Sequence, residues 1–158
     1  MNIDELLEIE TIKALRIRGS AYLDAGRLDD LVDLYHPDAV CEFGPYGSWT
    51  DRSRYKESFA AAEQPFYASG YFSNLHVVVN HVVDLTGPDS ATGLVYLLDF
   101  VTGDQMREGG NPLYWLGVYE EEYQRTDGDW KILRQSLNFV WPQRMLNDGF
   151  LERQAATD

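Results

Sequence analysis

The sequence has very little cysteine and histidine, and each shortage excludes a class of function. The single Cys41 excludes an internal disulfide, and its apolar neighbours favour a buried thiol over a nucleophile. The three histidines have no metal-ligand spacing. There is also no glycine-rich phosphate loop and no nucleotide-binding motif. We therefore expect that the protein needs neither a metal nor an organic cofactor.

Basic residues are also scarce, with 13 Lys and Arg against 26 Asp and Glu, which gives a net charge of −13. This charge argues against nucleic acid and anionic membrane surfaces as partners. No apolar run approaches the roughly 20 residues that a membrane span needs. The N-terminus is acidic and lacks the pattern of a signal peptide. These features predict a cytoplasmic protein with neither nucleic-acid nor membrane partners.

The composition is that of a folded protein, because 44% of the 158 residues are hydrophobic and 13% are aromatic. The length predicts one domain, which we place at 1–142, followed by a C-terminal tail at 143–158. Apolar residues three and four positions apart predict helices in the first part of the chain. The predicted helices span 3–23, 27–35 and 51–62, with a short strand at 39–43 between the last two.

The second half has the pattern of long strands separated by turns. Alternation places His76, Val78 and Asn80 on one face of the first long strand, and Val77 and His81 on the other. That second face also carries apolar residues, including Val79 and Val83, and needs a cover, so we expect a homo-oligomer. The predicted strands span 74–85, 91–102, 113–125 and 130–141.

Helices followed by strands predict the α+β class. The expected architecture is a cone-shaped domain, in which three N-terminal helices pack on a strongly curved, mostly antiparallel sheet. The open end of such a cone is a natural pocket for a ligand.

Two residues stand out as candidate catalytic groups. Asp24 closes the first helix and His76 opens the first long strand. A carboxylate that orients and charges an imidazole makes a general base without a metal. The alternatives are structural, since Asp-Ala-Gly is a common helix exit and a lone strand histidine is often only a packed residue.

The order of elements resembles the nuclear transport factor 2-like superfamily, and in particular its SnoaL-like enzymes. The resemblance rests on the last hairpin, with its Tyr-rich strand, the Arg125-Thr-Asp-Gly turn and Trp130-Lys-Ile, and on Leu34-Tyr-His-Pro-Asp-Ala near the N-terminus. Within that superfamily the chain resembles scytalone dehydratase, bile-acid 7α-dehydratase and hexachlorocyclohexane dehydrochlorinase.

The resemblance implies a cofactor-independent lyase of the dehydratase or elimination type, in which His76 is the general base and Asp24 its partner. The leaving group would be water, a halide or a small carbonyl fragment. In the dehydratases a tyrosine five residues before the aspartate assists the leaving group, and Gly19 takes that position here. Another acid must then act, or the leaving group needs less help. The resemblance also implies a trimer or a dimer.

The abundant aromatic residues predict a hydrophobic, aromatic or ring-bearing small molecule as substrate. The alternatives are an isomerase, cyclase or hydrolase that uses the same pocket, or a non-catalytic ligand-binding module. Asp99 is a second polar residue in an apolar strand that could point into the pocket. The candidate substrate-binding residues are Tyr22, Tyr46, Trp49, Phe72, Tyr96, Tyr114, Tyr119 and Asn138.

Overall fold

The computed structural model describes residues 2–65, 70, 72–101 and 113–156. Within these residues, three helices precede four long strands, and a short helix follows them. None of the described helices is long and apolar enough to cross a membrane. The helices are α1 (Ile3–Asp24), α2 (Leu28–Val32), α3 (Tyr55–Glu63) and α4 (Phe150–Ala155), and the strands are β1 (Tyr35–Glu42), β2 (Ser48–Trp49), β3 (Asn74–Gly87), β4 (Ser90–Val101), β5 (Leu113–Thr126) and β6 (Asp129–Trp141).

The described strands form one open six-stranded sheet in the order β2-β1-β6-β5-β4-β3. Strand β1 runs parallel to β6, and every other neighbouring pair is antiparallel. Helix α1 packs against β3 and β6 on the inner face of this sheet. The predicted α+β class and the antiparallel meander of four long strands are thus confirmed.

Local signals explain where helix α1 begins and ends. Asn2 and Glu5 form a reciprocal capping box at its start. At its end, Gly26 takes a left-handed φ of 68°, and its N–H donates to the Leu23 carbonyl while the Arg27 N–H donates to the Tyr22 carbonyl. This pair of bonds is a Schellman motif, and it fixes Asp24 as the last helical residue.

The second and third helices differ from their predicted bounds. Helix α2 ends at Val32, before the predicted 35, because the chain from Tyr35 already pairs with β6. The third helix begins as a 3₁₀ turn at Arg52–Arg54, which Asp51 caps by accepting the Ser53 N–H at 3.0 Å.

A β-bulge in β3 reverses the faces of its second half. Asn80 has a left-handed φ of 52°, and the pairing with β4 shifts between Val79 and Val82. The extra residue turns both His81 and Val83 towards the inner face. The prediction that these two lie on the opposite face from His76 is therefore wrong.

Two contacts follow from this reversal. Val83 is buried in the core. The Nε2 atom of His81 lies 3.2 Å from the hydroxyl of the buried Tyr123. His81 is therefore part of the packed interior and not a surface residue.

The C-terminal segment packs on the sheet. Met145 bridges Phe139 by two backbone hydrogen bonds of 2.9 Å. Arg153 in α4 forms an ion pair with Glu120 at 2.6 Å. Helix α4 lies within the C-terminal tail placed at 143–158.

Candidate active site

A cavity lies between helices α1 and α3 and the inner face of the sheet. The cavity volume is about 70 Å³. By the same measure, a cavity of about 10–15 Å³ is large enough to hold one water molecule. The room therefore suits a small molecule. The aromatic side chains that line it are Tyr35, Phe43, Tyr46, Trp49, Phe59, Trp115, Tyr119 and Phe139.

Asp24 and His76 meet at the cavity wall, 52 positions apart in sequence. Asp24 Oδ1 lies 2.6 Å from His76 Nδ1. Both side chains are nearly buried, at 11% and 8% exposure. In the neutral imidazole whose Nδ1–H donates to Asp24, the other ring nitrogen, Nε2, carries a free lone pair.

The backbone reinforces this contact. Both carboxylate oxygens of Asp24 also accept the His76 backbone N–H, at 3.2 Å each. The Phe72 N–H donates to the Asp24 carbonyl at 2.9 Å, which ties the approach to β3 to the end of α1. The carboxylate is thus held from two directions, so the imidazole ring has a fixed orientation.

A second carboxylate faces the other side of the imidazole. Glu63, the last residue of α3, has its Oε1 3.9 Å from His76 Nε2. Its Oε2 accepts from Asn74 Nδ2 at 3.1 Å. Glu63 is not among the site residues predicted from the sequence. It nevertheless continues the i, i+4 stripe of Tyr55 and Phe59, which marks the buried face of α3.

Asp99 completes the polar wall. It pairs with His76 across the β3–β4 ladder and lines the same cavity. Its Oδ1 is buried without a hydrogen-bond partner among the described residues. Burial raises the pKa of Asp99 from its ordinary 3.8 to about 6; the positive charge of His76 opposes the shift, while Glu63 and Asp24 add to it.

The same charges act on the imidazole. Burial works to lower the pKa of His76, but the hydrogen bond that its ring donates to Asp24 and the negative charges of Asp99, Glu63 and Asp24 outweigh it. The net result is a His76 pKa above its ordinary 6.5. The ring is therefore a stronger base than a free histidine.

A buried ion pair also reaches the cavity. Arg16 lines it, and its Nε lies 2.9 Å from Glu121 Oε1, with both side chains nearly inaccessible. Glu121 further accepts from Gln135 Nε2 at 2.5 Å and from the Tyr123 hydroxyl. The Arg16 guanidinium lies over the Tyr119 ring, 4.3 Å from its centre. Its positive charge is thus neutralised within the protein.

Neither Arg16 nor Glu121 is among the site residues predicted from the sequence. The signal for Arg16 was its position on the apolar stripe of α1, next to Ile12 and Leu15, which are both buried. The predicted core position of Cys41 is confirmed, since it is fully buried and burial raises the pKa of its thiol to about 12.

Three of the eight candidate substrate-binding residues line the cavity: Tyr46, Trp49 and Tyr119. The other five lie elsewhere. Tyr96 and Tyr114 are on the outer face of the sheet, each 43% exposed, because their cross-strand partners are outer-face residues. Phe72 is 59% exposed.

Tyr22 and Asn138 also lie outside the lining. The Tyr22 ring stacks under the guanidinium of Arg27, with 4.5 Å to its centroid. Asn138 is buried beneath the C-terminal segment, where its Oδ1 accepts the Asn147 N–H at 2.8 Å. Of the two strand polar residues considered for the pocket, Asp99 and Asn138, only Asp99 lines the described cavity.

Among the described residues, no group of three or more His, Cys, Asp or Glu side chains is arranged to hold a metal ion. The imidazole of His76 and the carboxyl groups of Glu63 and Asp99 line the described cavity, and Asp24 contacts His76 Nδ1.

Comparisons with known proteins agree with the fold. The sequence profile of the SnoaL-like domain matches residues 4–135. Among proteins with curated descriptions, none matches the sequence significantly.

Several solved structures have the same architecture. A scytalone dehydratase-like protein from Novosphingobium aromaticivorans DSM 12444 has a TM-score of 0.76 at 20% identity, covering 93% of this chain and 96% of the other. The hexachlorocyclohexane dehydrochlorinase LinA-type3 from Novosphingobium barchaimii LL02 has a TM-score of 0.75 at 17% identity, covering 95% and 97%.

A third similar structure is described as an association domain and not as an enzyme. It is a protein from Xanthomonas campestris described by likeness to the association domain of calcium/calmodulin-dependent protein kinase II, with a TM-score of 0.67 at 20% identity, covering 84% and 87%. At these identities the likenesses establish the fold alone.

Proposed function

This chain belongs to the SnoaL-like domain family, and we propose that within it the protein is a cofactor-independent lyase that acts on a hydrophobic, ring-bearing small molecule. The observation that carries the proposal is the 2.6 Å contact of Asp24 with His76 at the wall of an aromatic cavity. The names of two similar structures, a dehydratase and a dehydrochlorinase, both describe eliminations.

The position of Asp24 supports a functional role. A carboxylate in the last turn of a helix faces the negative end of the helix dipole, which is unfavourable. Helix α1 has no basic residue in that turn to offset it. The carboxylate is held there by three hydrogen-bond contacts with His76 instead. The contacts with His76 therefore support a role for Asp24 in holding the imidazole ring.

The proposed reaction begins with proton abstraction. His76 Nε2 takes a proton from a carbon next to a carbonyl group, while Asp24 holds Nδ1–H and stabilises the imidazolium that forms. The leaving group then departs from the neighbouring carbon, and a double bond forms. The aromatic lining, with Phe43, Trp49 and Phe59 packed edge to face, favours a flat ring in the substrate.

A defined compound tests the proposal: the aldol adduct of benzaldehyde and acetone, an aryl β-hydroxy ketone. Loss of water gives a conjugated aryl enone, which absorbs in the near ultraviolet. We expect the wild-type protein to accelerate this conversion and His76→Ala to reduce kcat by about 10²–10⁴-fold. Wild-type rates no higher than buffer would contradict the proposal.

The matched control is His36→Gln. His36 lies on β1 and its Nδ1 accepts the Asp38 backbone N–H at 3.0 Å, a local contact outside the cavity lining. The expected result is wild-type turnover. His81→Ala is unsuitable as a control, because His81 bonds the buried Tyr123 and its loss affects the core.

Isomerisation, cyclisation or hydrolysis with the same dyad is the nearest alternative. Product analysis separates these, since an isomerase returns a product of unchanged mass and a hydrolase adds water. Ligand binding that survives in His76→Ala, with no turnover in the wild type, would instead support a binding module.

We also propose that the protein is a homo-oligomer, a dimer or a trimer. The outer face of the sheet exposes Val77, Val82, Tyr96, Tyr114 and Trp141, between 41% and 55% each. Such a patch on one face is typical of a surface that another chain covers. Sedimentation at micromolar concentration should give two or three times the mass of the 18.1 kDa chain, and a monomer would contradict this.

A further inference from the structure

The cavity contains a carboxyl group that the dyad does not use. Asp99 lines the cavity directly across the β3–β4 ladder from His76. The two side chains are therefore neighbours on one wall, yet no ion pair within 4.0 Å joins them among the described contacts. A substrate atom can reach both groups from the same side.

We propose that Asp99 is the general acid of the reaction, and that the substrate is a neutral hydroxylated compound that loses water. This inference rests on the proposed function and adds to it the leaving group and the residue that assists it. It also answers the question raised by Gly19, where the resembling dehydratases have a tyrosine.

Hydrogen bonding distinguishes Asp99 from its neighbour Glu63. Glu63 Oε2 has a donor, since it accepts from the side-chain Nδ2 of Asn74 at 3.1 Å. Asp99 Oδ1 is buried with no partner among the described residues. A buried oxygen without a donor is better accommodated in a neutral carboxyl group than in a carboxylate.

The charges around Asp99 favour the protonated form as well. The groups that face it are Asp24 on α1, Glu63 on α3, His76 on β3, Tyr119 on β5, and Tyr46. Carboxyl groups outnumber the basic His76 around Asp99, so a negative charge on Asp99 is poorly balanced there. A proton on Asp99 removes that surplus, and burial raises its pKa to about 6 in agreement.

In the proposed loss of water, three bonds break and three bonds form. The C–H bond next to the carbonyl breaks and its proton goes to His76 Nε2. The C–O bond on the neighbouring carbon breaks, its oxygen takes the proton of Asp99, and water leaves. The electron pair of the C–H bond becomes the second bond between the two carbons. The imidazolium then returns a proton to the Asp99 carboxylate, and both groups are restored.

The same arrangement disfavours a halide as the leaving group. A halide departs as an anion, and the carboxyl groups of Glu63 and Asp99 line the cavity beside His76. Arg16 is the cation that lines the cavity, but Glu121 already neutralises it. A neutral water molecule leaves without this electrostatic cost.

The test compares two probes that give the same enone: the aryl β-hydroxy ketone and the corresponding β-chloro ketone, with buffer rates subtracted. Chloride needs no proton to leave. Asp99→Asn should therefore reduce kcat for the hydroxy ketone by about 10²–10⁴-fold and change that for the chloro ketone by no more than a few-fold. An equal loss on both probes would overturn the role of Asp99.

Deuterium exchange separates this inference from the proposed function. In D₂O, the wild type and Asp99→Asn should both exchange the hydrogens next to the carbonyl of the hydroxy ketone, while His76→Ala should not. If Asp99→Asn retains deuterium exchange but loses elimination, Asp99 assists the departure of the leaving group. Exchange lost in Asp99→Asn would overturn the inference, whereas unchanged elimination in His76→Ala would overturn the proposed function.

A measurement without substrate decides the protonation state. The ¹³C signal of the Asp99 carboxyl, assigned by its absence in Asp99→Asn, should titrate about two pH units above an ordinary aspartate. Titration in the ordinary range near 3.8 would overturn the inference even if elimination is observed.

Discussion

Asp99→Asn should make the fold more stable at neutral pH while it makes the enzyme slower. The folded protein holds the Asp99 pKa at about 6, whereas the unfolded chain returns it to 3.8. Between these values the folded state binds more protons than the unfolded state, so stability falls as pH rises through this window. Above it the ionised carboxylate destabilises the fold.

The size of the effect follows from the shift. A difference of about two pKa units, at roughly 1.4 kcal/mol each, corresponds to about 3 kcal/mol. Asparagine has the same shape and no charge, and no hydrogen bond to Asp99 Oδ1 is lost with the substitution. For a chain of this length the gain corresponds to a rise in Tm of roughly 6–12 °C.

The assay is urea unfolding at fixed protein concentration, at several pH values from 4 to 8. The free energy of unfolding of Asp99→Asn should match that of the wild type near pH 4 and exceed it by about 3 kcal/mol near pH 8. Asp84→Asn, an exposed aspartate on the neighbouring strand β3, is the matched control and should show no such trend. A difference that is absent or independent of pH would refute the reasoning.

Three further substitutions test the site and its support. Asp24→Asn removes the main contact that raises the pKa of His76, so the acid limb of the kcat/KM profile should move to lower pH as kcat falls; a limb that stays in place would contradict the dyad. Gly19→Ala places a Cβ 3.6 Å from Arg16 Nη1, an ordinary contact, and should stabilise α1 by about 1 kcal/mol in thermal unfolding; a loss of stability would count against this packing. Glu121→Gln leaves the Arg16 charge buried and unpaired and should cost about 3–5 kcal/mol in urea unfolding, most of it recovered by adding Arg16→Met; a cost below 1 kcal/mol would show that the pair is not buried.

The sequence predicted the secondary structure well because the signals were local and repeated. The strands from 74 to 141 were predicted to within two residues at their described ends, since alternating apolar residues stop at glycine and aspartate turns such as Asp127-Gly128. Asp24 and His76 were found through a helix end and a strand start.

The wrong predictions about which strand residues face inward share one cause, because the direction of a strand side chain depends on register. The bulge at Asn80 has no clear sequence signal, and one extra residue moved His81 and Val83 to the inner face. Tyr96 and Tyr114 are aromatic residues in strands, and alternation gives their spacing without saying which face is inward. Glu63 and Arg16 lie on the apolar stripes of their helices, but whether a charged residue on such a stripe is buried depends on tertiary packing.

The acid and the base of the proposed reaction depend on one set of charges. Arg16 is neutralised by Glu121, so His76 is the remaining basic group in the described cavity for Glu63 and Asp99, which line it, and for Asp24, which contacts His76 Nδ1. Burial works to lower the pKa of His76, but the hydrogen bond to Asp24 and the charge of Glu63 help to raise it, which strengthens the base. Burial, together with the charges of Glu63 and Asp24, raises the pKa of Asp99 to about 6, so a larger fraction of the molecules carries the proton that the leaving group takes than an ordinary aspartate would allow. A surplus of negative charge thus creates both functions at once, and it also selects a neutral ligand, because an anionic one would add a further negative charge to the same wall.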